Sequence, residues 1–245
     1  MRRCRFLPAT LVLAGLLTTA CSDAPVETPS ADQLVIYGSS HAAPAAAAVA
    51  GHGVAFDGST MATDSAAPAH LNITMYALYI STNADCSDPV LVQDYGEAGE
   101  VKDFAADPVL FSAEPAAGTY GCMGFVMSDV LFMQPERSFG PCDASVTYDG
   151  DIYRDGETDW IDVHGDPIIG HGGDGMGQGV DDHVTIFFSA DTSAALARGI
   201  SSNQLVPMSS PLVAPGQSTM YWDMSGAVQD EGGQCGILPR PITFQ

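Results

Sequence analysis

The sequence predicts an all-β protein, an antiparallel β-sandwich of about eight to ten strands. Three observations lead to this prediction. Apolar and polar residues alternate with a period of two between Leu71 and Tyr79, as in a strand with one buried face. Short apolar runs are separated by Gly, Pro and Asp, which favour turns. Amphipathic helical periodicity is almost missing, so these runs are expected to pack as sheets.

Each predicted strand has its own pattern. His183–Phe188 (HVTIFF) is the clearest buried strand. Thr119–Met133 is rich in aromatic, Val and Met residues but is interrupted by Gly121 and Gly124, which indicates a bulged strand. Prolines in the last strand place it at a sheet edge. The predicted strands are 33–37, 71–79, 90–92, 119–133, 160–163, 183–188, 217–224 and 236–244.

The N-terminus has the pattern of a secretory signal peptide over residues 1–20. Arg2, Arg3 and Arg5 precede an apolar run, 6–20, that ends in small residues. The run has about 15 residues and is therefore too short to span a bilayer, which takes about 20. The sequence thus predicts an exported protein.

The end of this segment, LTTAC (residues 17–21), resembles the lipobox of bacterial lipoproteins. The resemblance implies cleavage before Cys21, acylation of that cysteine and attachment to a membrane through the lipid. It departs from the common pattern because Thr18 stands where leucine is usual. Ser22 after the cysteine implies sorting to the outer membrane.

The remaining chain is expected to contain a tether and one domain. Residues 21–32 are rich in Pro, Ser, Thr and acidic residues and predict a flexible tether. Residues 33–245 can form a single β-sandwich domain. Within it, the Ala/Gly-rich segment 39–69 is expected to be a short helix or a loose segment, and 148–183 is expected to be a Gly/Asp-rich loop.

The charge balance limits the possible partners. The chain has 30 Asp and Glu residues against 8 Lys and Arg, for a formal charge of −22. Removal of residues 1–20 takes away three of the arginines. Nucleic acids and anionic lipid surfaces need a basic protein surface, so neither is expected as a partner. The charge fits a soluble acidic surface or the binding of cations.

Four cysteines remain after the signal segment. An even number of cysteines in an exported protein predicts disulfides, and four cysteines allow three pairings. We favour the pairing that joins sequence neighbours, Cys86–Cys122 with Cys142–Cys235. No CxxC motif occurs, so a zinc ribbon or a thioredoxin-type redox site is not expected.

Two phrases resemble strands of known sandwiches. AEPAAGTYGCMGFVMSD (Ala113–Asp129) resembles the turn and inner strand of prealbumin-like sandwiches, and VAPGQSTMYWDMSGAV (Val213–Val228) is similar to a strand pair of uncharacterised bacterial lipoproteins. The resemblance implies a prealbumin-like or immunoglobulin-like sandwich architecture. It implies no activity, because function does not follow from fold.

The Gly/Asp-rich loop holds the first candidate site. Carboxylates two to four residues apart on a flexible loop can converge, and Ca²⁺ takes six to eight oxygen ligands. The spacing matches neither the EF-hand phrase nor the nine-residue glycine-aspartate repeat, so a solvated acidic loop stays an alternative. The candidate calcium ligands are Asp149, Asp151, Asp155, Glu157 and Asp159.

The same loop offers a second set of ligands, for copper or zinc. Imidazole and thioether groups suit these metals, and the candidates are His164, His171, Met176 and His183. Their spacing gives neither HExxH nor an i, i+4 pair. The other methionines, among them Met123, are expected to fill the core.

No catalytic motif is recognisable. A GxSxG elbow is missing, and any pair among thirty carboxylates could serve glycan hydrolysis, so such a pair has no specificity. The sequence therefore predicts a non-catalytic envelope lipoprotein that binds a protein, a glycan or calcium. The alternatives are a periplasmic copper or zinc protein and a secreted glycan hydrolase.

Overall fold

The structure, a computed structural model, describes residues 32–41, 64–151, 183–202, 204–237 and 242–245. These residues form mainly β-strands, which confirms the all-β prediction. The strands are β1 (Leu34–Ser39), β2 (Ser65–Ala66), β3 (Pro68–Ser81), β4 (Val90–Asp94), β5 (Glu100–Asp103), β6 (Val109–Ala113), β7 (Gly118–Tyr120), β8 (Cys122–Pro135), β9 (Tyr148–Asp151), β10 (His183–Ser189), β11 (Leu205–Pro207), β12 (Leu212–Ala214), β13 (Gly216–Trp222), β14 (Val228–Glu231), β15 (Gln234–Ile237) and β16 (Ile242–Phe244). A 3-10 turn spans Phe104–Ala106, and the helix α1 spans Thr192–Arg198.

Two large sheets form the sandwich. Sheet I has the strand order β16-β13-β1-β6. Sheet II has the order β11-β10-β8-β3-β4, with β5 also paired to β3 and β9 also paired to β8. Two small sheets flank them: β12 pairs with β7, and sheet III has the order β15-β14-β2.

Several sequence predictions need correction. The described residues hold sixteen strands, more than expected, because the run 119–133 divides at Gly121 into β7 and β8, and short strands add two small sheets. The sandwich is not wholly antiparallel, since β1 runs parallel to β13 and β10 runs parallel to β11. The residue pattern within a strand does not specify which distant strand it pairs with, so these parallel pairs could not be predicted.

Two further differences concern helices and the N-terminal region. In the Ala/Gly-rich segment 39–69, residues 42–63 lie outside the described residues, and its end forms β2 and the start of β3 rather than a helix. The helix α1 lies elsewhere and was not predicted. It begins where the Asp191 carboxylate accepts a hydrogen bond from Ala194 N (3.1 Å) and ends at Gly199 in the left-handed conformation.

A row of aromatic rings crosses the space between the two sheets. Phe111 and Phe244 come from sheet I, and Phe125 and Phe188 come from sheet II. Successive ring centroids in the order Phe111, Phe125, Phe188 and Phe244 lie 5.1, 5.0 and 5.4 Å apart. Such tilted pairs each contribute about 0.5–1.5 kcal/mol beyond the area they bury. The row therefore joins sheet I to sheet II along their width.

The two halves of β3 differ in their pattern of buried and exposed residues, because different elements cover them. Leu71, Ile73 and Met75 face the core between the sheets, and polar residues alternate with them on an open outer face. Register shifts lie on either side of Met75, so Ala77 and Tyr79 lie in a second apolar cluster instead of the core. The alternation from Leu71 to Tyr79 therefore holds only for its first half, because the bulge moves the later residues to the other face.

The second apolar cluster lies on the outer face of sheet II. The disulfide Cys86–Cys122 belongs to it, and Ala195 of α1 packs against it. The second disulfide, Cys142–Cys235, ties the turn before β9 to sheet III. Both pairings are those favoured from the sequence. The bonded cysteines are 36 and 93 residues apart, and closing loops of this length stabilises the fold by roughly 4 kcal/mol each in the chain-entropy model.

The predicted role of the methionines is confirmed. Five of them, placed on the strands and turns of both large sheets, are buried in the core with 2% or less of their surface exposed: Met123, Met127, Met133, Met220 and Met224.

Gly121 generates the first testable prediction. A Cβ added there would lie 2.8 Å from Ala84 N and 2.9 Å from Ala84 Cα, because the loop that carries Cys86 presses on the chain at this point. Gly121→Ala should therefore lower the free energy of unfolding by about 1–3 kcal/mol, measured by denaturant titration. Gly118→Ala is the matched control, since a Cβ at Gly118 meets nothing within 4 Å. Equal loss in the two variants would contradict the packing described.

Candidate functional site

The two ends of the Gly/Asp-rich segment are fixed at one place on sheet II. The last residue of β9, Asp151, pairs with Val130, and the first residue of β10, His183, pairs with Ser128. Strands β9 and β10 thus use the same edge of β8, and the chain between them leaves and returns two residues apart. Residues 152–182 lie outside the described residues.

A local irregularity of β8 separates the two partner strands. Ser128 Oγ donates to Val130 O (2.9 Å) and accepts from Val130 N (3.0 Å), which closes a tight loop around Asp129. The side chain of Asp129 is fully buried. Burying a carboxylate costs free energy unless the group is paired. Asp129 therefore constrains β8 at the point where its pairing with β10 ends and its pairing with β9 begins.

The predicted calcium ligands are divided between described and undescribed residues. Asp149 is exposed on β9, and Asp151 is the last residue of the same strand. Asp155, Glu157 and Asp159 lie outside the described residues, as does Cys21, the predicted lipidation site. The structure therefore brings two of the five candidates onto one short strand at the entrance to the segment.

Of the predicted copper or zinc ligands, only His183 is described. Its ring packs against Tyr76, with centroids 3.8 Å apart and planes tilted by 32°. His164, His171 and Met176 lie outside the described residues. In the described part of the chain, no three His, Cys, Asp or Glu side chains are grouped closely enough to hold a metal ion.

Strand β9 is supported from the turn that carries Cys142. Tyr148 OH donates to Pro141 O (3.2 Å) and accepts from Asp143 N (2.8 Å). Gln134 of β8 holds the same turn through a bond from Nε2 to Ala144 O (2.5 Å). The start of the segment 148–183 is therefore held by two side chains, Tyr148 and Gln134, with the Cys142–Cys235 disulfide beside them.

The outer face of sheet II stays open beside this entrance. Phe132 of β8 is 46% exposed, and it lies in register with Asp149 on one side and Asn72 on the other. On β5, Val101 is 63% exposed. An exposed aromatic ring bordered by polar side chains is suited to contact a sugar ring or an apolar side chain of a partner.

A His–Asp pair borders this open face. His70 Nδ1 lies 2.7 Å from Asp103 Oδ2. Asp103 Oδ1 accepts from Leu71 N (3.0 Å) and from Ala105 N (3.1 Å), which caps the 3-10 turn. Burial raises the pKa of Asp103, but the hydrogen bonds from His70, Leu71 and Ala105 outweigh it and leave the pKa below its usual value.

Other surface carboxylates show shifts in the same direction. Hydrogen bonds from the side chain and backbone of Ser87 lower the pKa of Asp85, and the backbone and side chain of Ser145 lower that of Asp143. A glycan hydrolase needs a carboxylic acid whose pKa is raised, so that it is protonated near neutral pH. The pKa values of Asp85, Asp103 and Asp143 are all lowered instead, so none of these three carboxylates fits the role of that acid.

Sequence reasoning missed Asp129, Phe132 and the His70–Asp103 pair. A signal for Asp129 was available, since Ser128 and Asp129 are a polar pair inside an otherwise apolar run. No signal joined His70 to Asp103, because 33 residues separate them in sequence.

No protein-family model, curated protein or solved structure matches this chain. The described residues contain no helix long and apolar enough to cross a membrane.

Asp103 generates the second prediction. Its folded-state pKa is lowered, so the carboxylate stabilises the fold above the unfolded-state pKa, and this contribution is lost as pH falls through the folded-state value. Asp103→Asn should cost about 1–2 kcal/mol at pH 7, because a charged hydrogen-bond acceptor becomes neutral. The variant should also lose less stability than the parent when thermal melts are compared between pH 6 and pH 3. An unchanged acid dependence would show that Asp103 does not contribute.

Proposed function

We propose that this chain is a non-catalytic lipoprotein of the cell envelope that displays residues 148–183 as a calcium-stabilised binding element. The observation that carries the proposal is the attachment of β9 and β10 to one edge of β8, two residues apart. Two disulfides indicate an oxidising, exported compartment, which fits the proposal. The lipid on Cys21 would anchor the protein at the membrane.

The attachment favours a binding element because it fixes both ends of the segment. Two positions along a strand are about 7 Å apart. A chain whose ends are already held close together loses less entropy when it becomes ordered around a ligand. The scaffold beneath it, with a fully buried stretch of β8 and two disulfides, provides the rigid support that such an element needs.

The charge of the segment points to a cation. Residues 148–183 contain ten Asp and Glu residues against a single arginine. Repulsion between these carboxylates opposes a compact arrangement unless a cation neutralises it. Calcium fits best because it accepts six to eight carboxylate, carbonyl or water oxygens in flexible geometry. Asp149 and Asp151 at the entrance would provide the first oxygens, with Asp155, Glu157 and Asp159 following along the chain.

The partner surface would include the open face beside the segment. Phe132 is half-exposed there and pairs across the strand with Asp149. Ordering of the acidic segment by calcium next to this ring would create a surface with one stacking platform and several hydrogen-bond acceptors. Such a surface suits a glycan or a protein side chain.

A thermal melt of the purified protein with millimolar Ca²⁺ and with chelator tests the proposal. A ligand bound only by the native state at about 100 times its Kd adds about 2.7 kcal/mol. For a domain of this size, that corresponds to a rise in Tm of roughly 5–10 °C. The rise should be lost when Asp149, Asp151 and Asp155 are replaced by Asn.

The matched control removes three acidic charges elsewhere. Glu97→Gln, Asp107→Asn and Glu114→Gln change exposed carboxylates on other turns and should leave the calcium effect intact. A rise with Cu²⁺ or Zn²⁺ alone would favour the metal-carrier alternative through His164, His171 and His183. No shift with any of these ions would contradict the calcium proposal.

A further inference from the structure

The two disulfides differ in how far they are shielded. Cys86 and Cys122 are both fully buried. The loop around Cys86 covers them, since Ser189 Oγ donates to Ala84 O (2.6 Å) and the same loop presses on Gly121. In the other disulfide, Cys142 is buried, but Cys235 is only partly buried.

The position of Cys235 also favours attack by a reductant. It lies on β15, which pairs only with β14 among the described strands and so forms an edge of sheet III. Thiol–disulfide exchange needs direct access of a thiolate to one sulfur along the S–S axis. Of the four disulfide sulfurs, that of Cys235 belongs to the residue with the most solvent access.

This disulfide holds two elements that both support β9. Cys142 lies in the turn whose Pro141 O and Asp143 N bind the Tyr148 hydroxyl. On the other side, Ile237 of β15 packs against β9, with its Cγ2 3.2 Å from the position that a Cβ on Gly150 would occupy. The bond between Cys142 and Cys235 therefore joins the two supports of β9 to each other.

We propose that Cys142–Cys235 is a reducible clamp on β9, which a dithiol of the exported compartment opens while Cys86–Cys122 stays closed. A thiolate of the dithiol attacks Sγ of Cys235, the Sγ–Sγ bond breaks, and Cys142 leaves as a thiolate that takes a proton from solvent. The second thiol of the reductant then attacks the mixed disulfide. Two electrons pass to the protein, two cysteine thiols form, and the reductant becomes a disulfide.

Opening the clamp loosens β9 and β15 but leaves the sandwich folded. Neither Cys142 nor Cys235 is part of the aromatic row or of the pairing of β3 with β8. The entrance to the acidic segment would then be mobile in the reduced protein and fixed in the oxidised protein. The clamp acts on β9 whether or not the segment binds calcium, so the two proposals can fail separately.

Graded reduction of the full chain tests the clamp. The protein is incubated at pH 8 with increasing dithiothreitol, quenched with iodoacetamide and mapped by peptide mass spectrometry. Cys142 and Cys235 should become alkylated at least tenfold faster than Cys86 and Cys122. Equal rates, or faster reaction of Cys86 and Cys122, would overturn the proposal.

A pair of double variants provides the second readout. Cys142→Ser with Cys235→Ser should raise the rate of chymotrypsin cleavage after Tyr148 at least tenfold over the parent, at a temperature well below each Tm. Cys86→Ser with Cys122→Ser is the matched control, with one disulfide also removed, and should leave cleavage after Tyr148 within twofold of the parent. Unchanged protection of Tyr148 in the first double variant would refute the clamp.

Discussion

The pairing of β3 with β8 is the interaction to which the other strands of sheet II are attached. Each strand is 14 residues long, and their register runs from Pro68 opposite Pro135 to Ser81 opposite Cys122. On its other edge β3 carries β4 and β5, while β8 carries β9 and β10. The aromatic row then joins this unit to sheet I. Because strand pairs gain stability through side chains packed on their faces, loss of this pairing would remove the support of every other element of the sheet.

The same pair of strands also determines where the candidate binding site lies. The irregularity of β8 at Ser128–Val130 divides its edge between β9 and β10, so the described ends of the segment 148–183 lie next to each other there. One half of the outer face is covered by α1 and the loop with Cys86, and the other half stays open around Phe132. The scaffold thus places the described ends of the segment 148–183, a half-exposed aromatic ring and a partly buried disulfide near one another. The proposed binding element and its clamp both follow from this placement.

The sequence predicted elements whose pattern reflects burial and missed those that depend on distant partners. Val184, Ile186 and Phe188 of HVTIFF face the core and Phe187 lies in the outer cluster, so the burial of this mostly apolar run could be predicted. The alternation predicted for residues 71–79 fails after Met75, because the register of β3 with β8 shifts there and the later residues face the other side. Such a shift depends on the partner strand and leaves no local signal. The disulfide pairing followed chain proximity, whereas the contact of His70 with Asp103 required the register of β3 with β5.

Hydrogen exchange of the full chain, measured by mass spectrometry with and without Ca²⁺, tests whether β3 and β8 support sheet II and whether calcium orders residues 148–183. We expect the slowest exchange in β3 and β8 under both conditions, because the other strands of sheet II are attached to these two. Calcium should slow exchange within 148–183, including the described ends at β9 and the first residues of β10, and change little elsewhere. Rapid exchange in β3 and β8 would show that this pair does not support the sheet, and unchanged exchange in 148–183 would show that calcium does not order this segment.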